Sequence, residues 1–274
     1  FYSNVPFGIA AVAAISFFFK DTARDSTLKF DWFGFGAIAV GLGSLQLMLD
    51  RGATKGWFDS SEIVIEAMVA GISFYLFFVH LFTGKKPFIP LGMFRDRNLV
   101  GGLVLMFVLG LMLMASSALL SPYLQNLAGY SVATTGLLMV PRGLGTMASM
   151  MFAGRLTMKL DPRLLMTFGS GLLAWSMWDM ARWTPDVSIM TLTTVTFVQG
   201  VGMGFVFIPM NLVAFATLGP QYRTDGTALT NLIRNIGMAI GVSVTTTILT
   251  SSAQTIHAHL SAFASPFNRA LGVN

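Results

Sequence analysis

Of 274 residues, 54% are hydrophobic and only 11% charged, with a mean hydropathy of +0.69; these values exclude a soluble globular domain. The net charge of +5 comes from 17 Lys and Arg residues spread over short loops, a distribution that argues for membrane orientation and against a nucleic-acid partner. Cysteine is absent, which removes disulfide frameworks, thiolate nucleophiles and Cys-ligated metals.

A helix needs about 20 mostly apolar residues to cross a bilayer. Eight stretches predict such spans, at 5–19, 32–49, 63–82, 99–119, 133–152, 164–181, 189–214 and 228–250. The first is short, and Pro6 suits its opening turn, where a missing N–H costs nothing. No basic region or small-residue cleavage site marks a signal peptide at the start, and no initiator Met stands there, so the chain is expected to be a fragment. Trp32, Trp57, Phe58 and Trp183 fall at predicted interfaces, where amphipathic rings concentrate. Asp59-Ser60-Ser61-Glu62 predicts a capping box opening the third span. His80 is expected at the inner end of that span. The basic connector 84–97 is the expected boundary between a leading helical pair and a five-helix unit.

Span five carries Pro141 and Arg142 near its middle, and span eight carries Arg234 about seven residues in. A central Arg costs roughly 2.5–3.5 kcal/mol on insertion scales, so each is expected to face the bundle interior or a wet cavity. For both, a latch onto backbone carbonyls competes with a role in transport, and for Arg234 the latch is the favoured reading. Span seven adds Gln199, Asn211 and a loosening Pro209, and Asn231, Arg234, Asn235 and Met238 share one side of span eight. Kinked helices with polar groups near the midplane are where transporters bind substrate, although interhelical hydrogen bonding explains such groups as well. Gly200/Gly204 and Gly237/Gly241 repeat at four-residue spacing, which leaves a groove for close helix contact. The 18 Met and 24 Phe residues are first of all packing and lipid-facing groups, with an adaptable greasy cavity as the sharper alternative. His257 and His259 lack a third ligand, so no metal site is expected.

Loops alternate in charge. The set 20–31, 83–98, 153–163 and 215–227 holds eleven Lys and Arg residues, and the other set, with both ends, holds four. The positive loops predict the cytoplasmic side and place both ends outside. Asp50, Glu66 and Asp179 lie near the outer interface, and no Asp or Glu is expected at the middle of a span. A proton-driven pump needs a titratable group inside the membrane, so its main proton carrier would lie elsewhere.

Several strings resemble one family. Pro122-Tyr123-Leu124-Gln125-Asn126-Leu127-Ala128-Gly129-Tyr130-Ser131, with Thr135-Gly136-Leu137 and Pro141-Arg142-Gly143, is similar to the major facilitator superfamily, and within it to the fourteen-helix drug:proton antiporters of the EmrB/QacA type. Phe1 to Gly8 resembles the start of that family's sixth helix, Leu91 to Asn98 the entry to its ninth, and Asn231 to Gly241 its thirteenth. The resemblance implies an all-α, multi-pass membrane protein of eight transmembrane helices here. In that reading 1–31 is the last helix of the N-terminal half with its inner linker, and 32–83 is an inserted helix pair. Residues 84–250 are then five helices of the C-terminal half, and 251–274 an outer tail leading to a missing final helix. Gly154, Arg155, Lys159, Asp161 and Arg163 match the superfamily's inner-loop motif, with Met158 where Asp is common; the plain reading of that loop is positive-inside anchoring.

The implied function is proton-coupled export of amphipathic or cationic compounds by alternating access, in a bacterial inner membrane, with lipid around it and a periplasmic adaptor as a further partner. No cofactor and no enzymatic activity are expected. Tyr123, Gln125, Arg142, Gln199, Met203, Asn211, Asn231, Arg234 and Asn235 are the candidates for the substrate cavity, on spans four, five, seven and eight. Spans two and three, with little that is deep and polar besides Gln46, are expected to be peripheral. The rivals are a transporter of one metabolite, siderophore or peptide, and a channel or non-transporting receptor. A channel would show a repeated pore segment or charged ring, and neither is seen.

Overall fold

The computed structural model describes residues 4–18, 31–84 and 89–263. The strings at 1–3, the loop 20–30, Lys85 and Lys86, and the end of the tail lie outside them. The chain forms two units, 1–32 and 33–274. In the first, α1 (Asn4–Phe18) exposes Val5, Ile9, Val12 and Ile15, as a helix meant for lipid or a partner does.

In the second unit the described residues are helical, with no strand among them: α2 (Trp32–Lys55), α3 (Ser61–Thr83), α4 (Arg97–Pro122), α5 (Val132–Leu156), α6 (Pro162–Met180), α7 (Ile189–Ala216) and α8 (Arg223–Phe263). Five of these, α2, α3, α4, α7 and α8, are long and apolar enough to cross a membrane, which makes this a multi-pass membrane protein. The expected count of eight is not reached on that criterion. α5 and α6, of 25 and 19 residues, are diluted by Gly, Thr and charged groups, and the described part of α1 has 15 residues. α8 runs 41 residues, and the stretch expected to form a tail from 251 is helical as far as Phe263.

A short side chain with an acceptor oxygen starts α4, α5, α6 and α7. Asp96 accepts from the N–H groups of Asn98 and Leu99 at 2.8 and 3.2 Å. Asp161 takes that of Arg163 at 2.9 Å, Ser131 that of Thr134 and Ser188 that of Thr191, each satisfying an orphan donor. The capping box expected at Asp59–Glu62 does not form. Ser60 sits at the N-cap of α3 without a side-chain bond, because Glu62 turns back to the cations of α2. It pairs with Arg51 and, at 3.1 Å, with Lys55. Trp57, half-buried, lays its ring over Gly52, where a Cβ would collide with it at 2.7 Å.

Two helix pairs build the bundle: α5 runs along α7, α4 along α8, and α6 and α4 both flank α7. Glycine makes the close approaches. A Cβ on Gly200 would meet the Arg142 carbonyl, and one on Gly204 the Ser149 side chain. In the other pair Gly237 lies against the Phe107 carbonyl, Gly241 against that of Leu111, and Gly110 against that of Arg234. Without a hydrophobic drive between helices in lipid, such backbone contact is what holds a bundle together. Ile38, Phe77 and Leu81 pack with Met93, Leu99, Leu218 and Leu229, which brings α2 and α3 against the later helices at the end of the bundle where the loops 83–98 and 215–227 lie.

Candidate functional site

One turn of α4 gathers the buried polar groups. Arg142 reaches from α5 with Nη1 donating to Ser117 Oγ at 3.1 Å and Nη2 to the Leu113 carbonyl at 3.4 Å. From α7, Gln199 donates through Nε2 to Ser116 Oγ at 3.0 Å. Adjacent serines therefore receive two different helices. Gln199 is 2% exposed, and its Oε1 has no hydrogen-bond partner. A small void between the helices is lined by Arg142, Gln199, Met112, Met177, Leu173 and Met203. The structure thus brings Arg142, Gln199 and Met203 together. The guanidinium is met by a hydroxyl and a carbonyl of α4, and it forms no ion pair with a described residue.

The remaining candidates stand elsewhere. Pro122 ends α4, and a single π-helical turn follows at Tyr123–Leu127, a distortion that recurs at functional sites. Tyr123 donates to the Thr184 carbonyl and stacks at 6.0 Å from Trp183. Both line an outer cavity of about 540 Å³ together with Ser116, Met177, Met180 and Asn126. Gln125 is half-buried in the same turn, and it does not line that cavity. Asn211 bonds the Phe207 carbonyl of its own helix at 2.8 Å, and Asn231 that of Thr227 at 3.1 Å. Asn231 and Asn235 are exposed, and Arg234 is half-buried with its Nε lacking a partner. Asn235 lies across a cavity from Gln46 of α2, the deep polar residue singled out on that helix. In the inner loop, Asp161 caps α6, while Gly154, Arg155, Lys159 and Arg163 are exposed.

Sequence reasoning passed over Ser116 and Ser117, which hold both polar side chains, and over α6, whose Met177, Met180 and nearby Trp183 form a wall of the outer cavity. The signal available was a pair of adjacent small hydroxyls inside an apolar span. Three ion pairs are formed among the described residues, all at the turn between α2 and α3. Glu66 is part of that cluster, 4.0 Å from Arg51, and its Oε2 is buried without a partner. No group of three or more metal-ligating side chains occurs among the described residues.

Comparison with known proteins matches residues 1–242 to the family model described as Major Facilitator Superfamily. The chain is 30% identical over 270 residues to the multidrug export protein EmrB of Escherichia coli K12, covering 98% of this chain and 53% of that protein. It is 30% identical to the fatty acid resistance protein FarB of Neisseria gonorrhoeae, covering 99% and 54%. With the lincomycin resistance protein LmrB of Listeria monocytogenes it shares 26% identity over 92% of its own length and 53% of the relative. The chain spans about half the length of these relatives.

Proposed function

Because the chain belongs to the Major Facilitator Superfamily, we propose that it forms part of a bacterial inner-membrane exporter of amphipathic compounds, coupled to protons and working by alternating access. The observation that carries this reading is the polar clasp of Arg142, Gln199, Ser116 and Ser117 inside an otherwise apolar bundle, beside Met-lined space. Fixed polar groups in a polarizable apolar wall suit ligands of varied shape. Relatives named for export of or resistance to chemically different compounds support the same reading. The eight-span arrangement, with an inserted pair at 32–83 and the C-terminal half from 84, belongs to this proposal.

A periplasmic adaptor is proposed as a partner. At 1.5 Å per residue a helix of 41 residues is about 60 Å long, more than the roughly 40–45 Å of a bilayer with its headgroups. α8 therefore offers helical surface outside the membrane. The test is transport by the full-length parent. Cells expressing it should accumulate less ethidium than cells without it, and collapse of the proton gradient should remove the difference. Equal accumulation in both, across a panel of amphipathic dyes and long-chain fatty acids, would overturn the reading in favour of transport of one dedicated solute.

A further inference from the structure

Two cavities lie end to end between α2 and α8. The first, about 250 Å³, has Gly43 and Gln46 on one wall and Asn235 on the other. The second, about 270 Å³, has Phe35 on α2 and Asp225 on α8. Leu42 and Leu232 line both, so the two are neighbouring compartments of one seam. Either alone is below the roughly 300 Å³ at which drug-sized pockets begin, and the pair exceeds it.

Each end of the seam has its own chemistry. Asp225 lies in the first turn of α8, at the end the Lys and Arg pattern assigns to the cytoplasm, and it forms no ion pair with a described residue. It is the charged residue in the lining of an otherwise apolar compartment that also includes the Phe35 ring. That combination attracts an organic cation through charge and through the ring face. At the far end Gln46 donates Nε2 to Asp50 at 3.0 Å, which leaves its carbonyl oxygen for a ligand. Asn235 is exposed, and its side chain makes no hydrogen bond with a described residue. Gly43 leaves room, since nothing lies within 4 Å of where its Cβ would stand.

We propose that the seam between α2 and α8 is a binding site for amphipathic monocations, holding the cation at Asp225 and the apolar body along Leu42 and Leu232. The inserted helix pair then serves as one wall of a ligand site reached from the inner leaflet. This rests on the exporter reading for its purpose, and on the cavity and its charge for its existence.

The test uses the full-length parent in membranes, with Gly43→Cys introduced and any native cysteines replaced. Labelling of Gly43→Cys by a hydrophobic maleimide should slow several-fold with tetraphenylphosphonium. Tetraphenylborate, the same shape with the opposite charge, should not protect. Asp225→Asn should abolish protection by the cation, and Gly43→Trp should lower tetraphenylphosphonium binding about tenfold at unchanged membrane abundance. Unaltered labelling, or equal protection by both ions, would overturn the site even where the parent exports dyes. Charge-selective protection in a parent that exports nothing would uphold the site and count against the exporter reading instead.

Discussion

Arg142 carries a full charge into the middle of α5 and satisfies it on α4 rather than on an acid. The Arg142→Ala variant of the full-length parent is expected to reach the membrane at near-normal abundance and to export about tenfold more slowly, equivalent to about 1.4 kcal/mol. Arg142→Lys should recover only part of the rate, because an ammonium cannot span both Ser117 Oγ and the Leu113 carbonyl as a planar fork does. Efflux assays set against membrane immunoblots decide it: normal export discards a transport role, and loss of the protein from the membrane makes the arginine a latch. Its depth was legible in the sequence, since an arginine ten residues into an apolar run has nowhere to snorkel. Its partners were not, because serines and carbonyls inside a span carry no signature of which helix they will face. Asp96 belongs to the same scale. The Thr217 hydroxyl does most to hold its carboxyl below the ordinary 3.8, the Leu99 and Asn98 amides add to this, and desolvation opposes it. A depressed value means that folding favours the charged form, so the contribution is complete above the unfolded value and fades as pH falls below 3.8 through the folded one. Asp96→Ala should cost about 1 kcal/mol at neutral pH. Asp96→Asn should keep most of the cap and lose less melting temperature than the parent between pH 6 and pH 3.

The glycines govern the helix pairs. α7 approaches α5 so closely at Gly200 that any Cβ meets the Arg142 carbonyl, and a rigid carbonyl inside a helix cannot step aside. Gly200→Leu is therefore expected to force the pair apart at a cost of about 1–3 kcal/mol or more, visible as a lower melting temperature in detergent. Gly101→Ala and Gly171→Ala meet no atom within 4 Å and should be neutral or stabilising by roughly 0.5–1 kcal/mol, since alanine is the better helix former. Equal melting temperatures for Gly200→Leu and Gly171→Ala would show that the close contact does not govern stability. Spacing exposed the groove at Gly200 and Gly204, because four residues bring two glycines to one face. It gave no hint of Gly145 or Gly110, neither of which has a glycine four residues away, although both fill the same role from the other side. The length of α8 shows how a span and a helix can end at different places. The stretch after Thr250 loses hydrophobicity but contains neither Gly nor Pro before Pro266, so apolarity marked a membrane boundary while nothing ended the helix.

For the molecule as a whole, orientation follows from charge and constrains every functional statement above. The loops 83–98 and 153–163 hold Lys85, Lys86, Arg95, Arg97, Arg155, Lys159 and Arg163, whereas 50–62 and 182–188 hold Arg51, Lys55 and Arg182. The structure sharpens the contrast, since Arg51 and Lys55 are paired with Glu62 at the outer turn. Arg155, Lys159 and Arg163 form no ion pair with any described residue, so their charge resists translocation undiminished. The prediction is a sidedness experiment on the full-length parent with native cysteines replaced. A cysteine at Ser60 or Asp186 should react with a membrane-impermeant maleimide added outside intact cells, and one at Thr157 or Phe94 should react only after the membrane is opened. Reversing the bias should tilt the outcome: Arg155, Lys159 and Arg163 changed together to Gln should make a measurable fraction of Thr157→Cys reactive from outside, while Asp161, still capping α6, keeps the helix start in place. Strong outside labelling at Phe94 in the unaltered background would invert the topology, and with it the placement of Asp225 at the cytoplasmic end of the α2–α8 seam.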